Sequence, residues 1–264
     1  MPKPTERLRA LHADATFVIP NPFDRGSARL LAALGFEALA TTSAGMAASL
    51  GRLDQEVSRD QLLAHVADLA AATDLPLHVD AERCFADDPA GVAETVRLLA
   101  EAGAAGCSIE DWNPGEDRID PLPVSVDRVV AAAEAAQTSG LVLTARCEHH
   151  IRGVDDLDAT VERLAAYRDA GAEVVYAPGL VDPDQIRRVV DETEVPVNVL
   201  LLPGGPTVPE LAALGVRRVS LGGTLSNAAY GAVVDQATAV RDTGALDTTL
   251  PRLSRRISAD AFES

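Results

Sequence analysis

Acidic, hydroxyl-bearing and basic residues recur in this sequence just after short aliphatic runs, the pattern of groups delivered to a site by strand ends. Asp80 and Glu82 follow residues 75–79, and Glu110 and Asp111 follow residues 106–109. Arg146, Glu148, His149 and His150 follow residues 141–144, while Asn198 sits inside the run 195–199. Asn21 and Asp24 come after residues 16–19, and Thr42-Ser43-Ala44-Gly45 and Asp54 come after residues 38–41. Asp80, Glu82 and Glu110 can converge. Uncompensated, they would repel and raise one another's pKa, a conflict that a divalent cation resolves. Oxygen-only ligands favour Mg2+ or Mn2+, which keep waters and take one or two direct carboxylates. The same acids can instead cap helices or pair with Arg83 and Arg118. Arg146 can hold a carboxylate or phosphonate in bidentate fashion, or form a structural salt bridge to one of the acids. The small residues 42–45 can turn backbone N–H groups toward an anion. His149 and His150 are adjacent, without the i, i+4 spacing of helical metal ligands, and read as solvated or packing groups.

The elements that must position these residues follow from periodicity. From residue 16 onward, aliphatic runs alternate with longer Ala-rich amphipathic segments, the signature of repeated strand-helix units around a parallel sheet. Eight strands are counted, beginning near residues 16, 38, 75, 106, 141, 173, 195 and 218. Helices are expected over 58–72, opened by Ser58, and over 158–170, closed by Gly171. Gly35, Gly103 and Gly215 likewise end helical segments. This predicts an α/β fold, one (β/α)8 TIM barrel over 1–264, with an N-terminal helix in 1–15, a last helix near 224–241 and a tail over 245–264. In such a barrel functional groups gather at the C-terminal ends of the strands, which selects the residues named above.

Bulk composition agrees. A chain of 264 residues suits one such barrel, and 47% hydrophobic with only 3% aromatic residues implies an aliphatic core. A net charge of −17 and a pI near 4.6 argue against nucleic acid or an anionic membrane as partner. An acidic protein that handles an anion needs a local cation or an inward arginine. Cys84, Cys107 and Cys147 are odd in number and unpaired in spacing, so they read as buried fillers in a reducing compartment; Cys84 alone falls in a candidate catalytic loop. The N-terminus has no apolar signal core and no stretch reaches membrane-span length, and a cytoplasmic location is expected.

The ordered set of segments 19–54, 77–82 (Leu-His-Val-Asp-Ala-Glu), 102–111, Ala145-Arg146, 182–186, 196–200 and 211–222 resembles the isocitrate lyase and phosphoenolpyruvate mutase superfamily, over nearly the whole chain. The resemblance implies an enzyme that binds Mg2+ (or Mn2+) and an α-oxo-acid, or its enolate, while a C–C or P–C bond is made or broken. It also implies a homodimer or homotetramer with an exchanged C-terminal helix. Carried over by position, Asp80, Glu82 and Glu110 match metal-shell acids, and Asp54 matches the acid of a mobile gating loop. Arg146 matches the substrate arginine, and Thr42, Ser43 and Ala44 match the turn that receives the substrate oxygens. Asn198 is expected to line the same pocket.

The sequence departs from the superfamily at two loops. Residues 112–118 (Trp-Asn-Pro-Gly-Glu-Asp-Arg) stand where true isocitrate and methylisocitrate lyases carry Lys-Arg-Cys-Gly. Without that Cys those two activities are not expected, and without a lysine there a phosphoenolpyruvate mutase reaction is not expected either. Arg83-Cys84-Phe85-Ala86 replaces a usual Gly-Tyr-Gly stretch, and an arginine beside the metal acids could neutralise them. The leading expectation is therefore a Mg2+-dependent lyase or hydrolase of a small 2-oxo-acid or phosphonate. Its rival is a catalytically weakened barrel that binds a carboxylate metabolite, with Arg83 in place of the metal.

Overall fold

Eight aliphatic strands, too apolar to face water on either side, pair in parallel and roll into one ring. A computed structural model describes residues 2–263. The ring strands are β1 (Phe17–Ile19), β2 (Leu39–Ala40), β3 (Leu77–Asp80) and β4 (Gly106–Glu110), then, after a small hairpin of β5 (Trp112–Asn113) and β6 (Arg118–Ile119), β7 (Val142–Arg146), β8 (Val174–Tyr176), β9 (Val197–Leu200) and β10 (Arg218–Ser220). They run in the order β1-β10-β9-β8-β7-β4-β3-β2. The two ends of this order meet where Ala40 N–H donates to the Pro20 carbonyl at 3.0 Å. The expected (β/α)8 barrel is therefore what the chain forms, with strands at the eight predicted places.

The helices are α1 (Pro4–Ala13), α2 (Arg25–Ala33), α3 (Ser43–Ser49), α4 (Arg59–Ala70), α5 (Pro89–Glu101), α6 (Leu122–Ser139), α7 (Leu157–Asp169), α8 (Pro183–Thr193), α9 (Val208–Ala213), α10 (Thr224–Thr243) and α11 (Arg255–Phe262). Ser58 caps α4 by accepting from Gln61 N, as its position before an amphipathic run predicts. Helices α4 and α5 bury Leu62, Val66 and Leu69, and Val92, Val96 and Leu99, the spacing that puts one face on the sheet. Gly103 and Gly171 follow α5 and α7 with φ of 101° and 104°. That conformation suits glycine and turns each chain back into the next strand.

Helix α1 lies across the N-terminal mouth of the ring. Leu8, fully buried, packs among Phe17, Ile19, Val142 and Val174, and His12 meets the Phe17 ring edge-on at 5.0 Å. Two features go beyond the sequence reading. The β5–β6 hairpin was not expected, because its strands are only two residues each. The tail over 245–264 contains α11, which packs on α2 and buries Ala261. Helix α10, 20 residues long, buries only Ser226 and leaves Val233 and Val234 at 64% and 62% exposure. No helix among the described residues is long and apolar enough to cross a membrane.

Candidate active site

Asp80, Glu110, Arg146 and Tyr176 are the last residues of β3, β4, β7 and β8, so the strands themselves, rather than the loops beyond them, deliver these side chains to the C-terminal mouth. A cavity of about 180 Å3 opens there. Of the residues singled out from sequence, Asn21, Thr42, Ser43, Ala44, Asp54, Asp80, Arg146 and Asn198 line it. Glu82 and Glu110 stand behind this wall, at 6% and 4% exposure. Thr42 to Gly45 are not a free turn: Thr42 is the N-cap of α3, and Ser43 N–H donates to Asp80 Oδ2 at 3.3 Å.

Arg146 organises the acids. Its Nη1 lies 3.4 Å from Glu110 Oε2 and 3.7 Å from Asp80 Oδ1, its Nε donates to Glu148, and its guanidinium sits 5.4 Å from the Tyr176 ring centre. Both readings of Arg146 therefore meet in one side chain, which is ion-paired to the acids and also borders the cavity. Burial works against its charge, but Glu110, Glu148 and Asp80 outweigh this and hold it protonated. Glu148 is fixed in turn: Asp111 Oδ1 accepts its N–H at 2.9 Å, and Asp111 Oδ2 accepts from Tyr167 Oη at 2.7 Å and Arg163 Nη1 at 3.2 Å. Arg152, stacked 3.8 Å over Trp112 of the hairpin, approaches Glu148 Oε2 at 3.5 Å.

Burial, then the nearby charges of Asp80 and Asp54, pushes the Glu82 carboxyl up to about 8. Burial likewise raises Glu110 well above the carboxylate range, although Arg146 opposes it. Glu82 Oε1 is buried without a hydrogen-bond partner. Glu110 Oε1 accepts from Gln55 Nε2 at 3.2 Å, and Gln55 Oε1 is also buried and unpartnered. Glu82, Gln55, Cys84 and Phe85 all hold left-handed φ of 48° to 68°, costly for side-chain-bearing residues and typical of functional loops.

The expected pairing of the site acids with Arg83 or Arg118 needs correction, and the other residues named from sequence take the places given below. Arg83 does not stand among the acids of the cavity; its Nε pairs with Asp120 at 2.9 Å and its Nη1 with Asp87 at 2.8 Å. The guanidinium among the site acids belongs to Arg146. Arg118 pairs with Glu116 on the hairpin. Asp24 caps α2 through Ser27 N. Asn21 ties Thr41 O to Leu221 N and Gly222 N at 2.9 Å each, a bridge that joins the β1 and β2 ends to the β10 loop. His149 and His150 share the Thr160 hydroxyl. Cys84 is fully buried and its thiol is pushed up to about 12, which removes it from nucleophilic chemistry at neutral pH. Sequence reading missed Tyr176, Ser220 and Arg218, which also line the cavity.

A model of the phosphoenolpyruvate phosphomutase family matches residues 8–241. The chain belongs to this family. The oxaloacetate decarboxylase of Chromohalobacter salexigens is 30% identical over 95% of this chain and 90% of its own length. The 2-methylisocitrate lyase of Escherichia coli is 33% identical over 75% of this chain and 69% of its own. The crystal structure of a putative lyase/mutase from Burkholderia cenocepacia superposes with a TM-score of 0.93, at 49% identity over 98% of this chain and 96% of that one. The protein is an enzyme of the phosphoenolpyruvate mutase and isocitrate lyase superfamily.

Membership implies a divalent metal, which the side chains present can be tested against. Among the described residues no three acidic, histidine or cysteine side chains are spaced to close on one ion, so three direct carboxylate ligands are not preformed. The donor set still fits a hydrated Mg2+ or Mn2+, which needs only one or two direct carboxylates. The carboxylates are all-oxygen and exceed the one guanidinium between them, and the unpartnered Glu82 Oε1 leaves a buried acceptor that lacks a donor or cation.

Proposed function

We propose that the protein breaks a C–C or P–C bond of a small 2-oxo-acid, with Mg2+ or Mn2+ bound by Asp80 and supported by Glu82 and Glu110. The observation that carries this is Arg146 at the wall of the cavity, held charged between Asp80, Glu110 and Glu148. A fixed guanidinium beside a space of about 180 Å3 suits a small anion, below the ~300 Å3 of larger ligand sites.

Arg146 binds and orients the substrate carboxylate, while Ser43 and Ala44 bound the side on which the oxo group lies. Asp54, exposed at the cavity rim, is the group placed to hold or move a proton at the reacting carbon. When bound, the cation supplies positive charge against the developing enolate. The absence of a Cys or Lys in the β5–β6 hairpin speaks against methylisocitrate cleavage and phosphoenolpyruvate mutation, and the oxaloacetate decarboxylase relative supports a keto-diacid substrate. With Arg83 paired elsewhere, the reading of a binding protein with that arginine in place of a metal loses its support.

The test is pyruvate release from oxaloacetate, phosphonopyruvate and substituted malates with Mg2+. Wild type is expected to turn over at least one of them, and Asp54→Asn to lose at least tenfold in kcat. No turnover above background with any substrate would end the proposal. We further propose a homo-oligomer in which α10, bare on its own barrel, packs on a second copy.

A further inference from the structure

Beneath the cavity lies a buried charge that the proposed chemistry does not use. Arg218, the first residue of β10, is 3% exposed, and no carboxylate among the described residues pairs with it. Burial pulls its pKa down to about 9, which leaves it a cation at neutral pH. Its contacts are with neutral groups. Nε donates to Asn198 Oδ1 at 2.8 Å, Nη2 to Thr144 Oγ1 at 3.0 Å, and Nη1 reaches His12 Nε2 at 3.4 Å.

A guanidinium has donors only, so each neighbour must turn an acceptor toward it, and this sets the direction of every further bond. His12 Nδ1 lies 2.8 Å from Leu8 O and must carry the proton there, which leaves Nε2 to accept. Thr144, having accepted, has its hydroxyl proton free for His78 Nε2 at 3.0 Å. Burial holds His12 and His78 neutral. On the cavity side, Asn198 presents its carbonyl to Arg218, so its amide N–H faces Ser220 Oγ at 3.0 Å. Ser220 accepts and has its own proton to send onward, and Tyr176, the register partner of Asn198 on β8, stands on the same cavity wall. Asn198, Ser220 and Tyr176 all line the cavity.

We propose that Arg218 is a positioning residue: it fixes the amide of Asn198 and, through Ser220, leaves the Tyr176 phenol with its own proton to donate to an anionic oxygen in the cavity. This rests on the reading of the cavity as a 2-oxo-acid site only for the identity of the anion. The wall beside Arg146 thereby presents a further donor, a preorganised arrangement that favours negative charge as it develops.

Two measurements test it, with the full-length protein and Mg2+. The first follows the Asn198 side-chain amide by NMR with asparagine-selective 15N labelling, assigned by Asn198→Asp. Its protons are expected to be protected from exchange in wild type and Tyr176→Phe and to lose that protection in Arg218→Met. The second titrates oxalate, a planar dianion resembling an enolate, by calorimetry. Arg218→Met, Ser220→Ala and Tyr176→Phe are each expected to weaken it roughly tenfold or more, and the double variant Arg218→Met/Tyr176→Phe no more than either alone. Arg218→Lys, which keeps the charge but not the forked donors, is expected not to restore affinity. Unchanged amide protection in Arg218→Met, or losses that add in the double variant, would overturn the proposal. If Arg218→Met does not fold, Arg218→Lys decides on the same two readouts: retained amide protection, or losses that add with Tyr176→Phe, would overturn the proposal. Wild type that fails to bind oxalate would sink the oxo-acid reading, while the amide measurement still judges the role of Arg218.

Discussion

Glu82 is a carboxyl in the wrong solvent, buried, with Oε1 unpartnered and with Asp80 and Asp54 nearby. Its folded-state pKa, about 8 against an ordinary 4.5, lies above its unfolded value. The folded protein therefore binds more protons than the unfolded chain between these values, and stability falls as pH rises across that window. In EDTA, the thermal midpoint of wild type is expected to drop by several degrees from pH 5 to pH 8, and Glu82→Gln to flatten that slope. Added Mg2+ is expected to raise the midpoint at pH 8 in wild type and far less in the variant, since a ligand bound only by the folded state stabilises it. Arg146→Ala is expected to reduce kcat/KM by at least 100-fold and to cost about 3–5 kcal/mol in urea unfolding, because Glu110 and Glu148 would be left buried without their partner. Much of this was legible from residue type and spacing: Asp80, Glu110 and Arg146 each end an aliphatic run. Arg218 was not, because beside Arg217 it reads as half of a solvent-facing pair. Its inward direction is set by β10 pairing in register with Asn198 on β9, a long-range fact.

At the scale of elements, the strand termini and the short helix α3 set the shape of the cavity. Gly45 lies where α3 comes closest to its surroundings: an added Cβ would stand 2.6 Å from Thr42 Cγ2 and 3.1 Å from both Phe23 Cβ and Ser226 Oγ. Gly45→Ala must displace the Thr42 side chain at the α3 N-cap and crowd Phe23 and Ser226, which disturbs the wall formed by Thr42, Ser43 and Ala44. A loss of about 1–3 kcal/mol in denaturant unfolding is expected, together with a rise in KM that a remote overpacking change would not produce. The strand-helix alternation was readable because parallel strands covered on both faces are nearly continuous aliphatic runs. The hairpin was not. Residues 112–119 contain Pro-Gly and only two residues per strand, and such a segment looks like a loop until its stacking with Arg152 is seen.

For the whole molecule, the exposed face of α10 sets the expectation. Val233, Val234 and Val240 lie bare on a helix that scarcely touches its own barrel, and apolar surface of this kind is expected at an interaction face. Sedimentation should find an oligomer, and Val233→Asp with Val234→Asp should shift it toward monomer. A monomeric wild type would refute the assignment. Helix α1 carries a different consequence. Because Leu8 and His12 stopper one opening of the ring, whatever enters the reaction chamber must leave by the same doorway. Departure has to finish before the next molecule arrives, so the product that leaves last should slow turnover in competition with its parent compound.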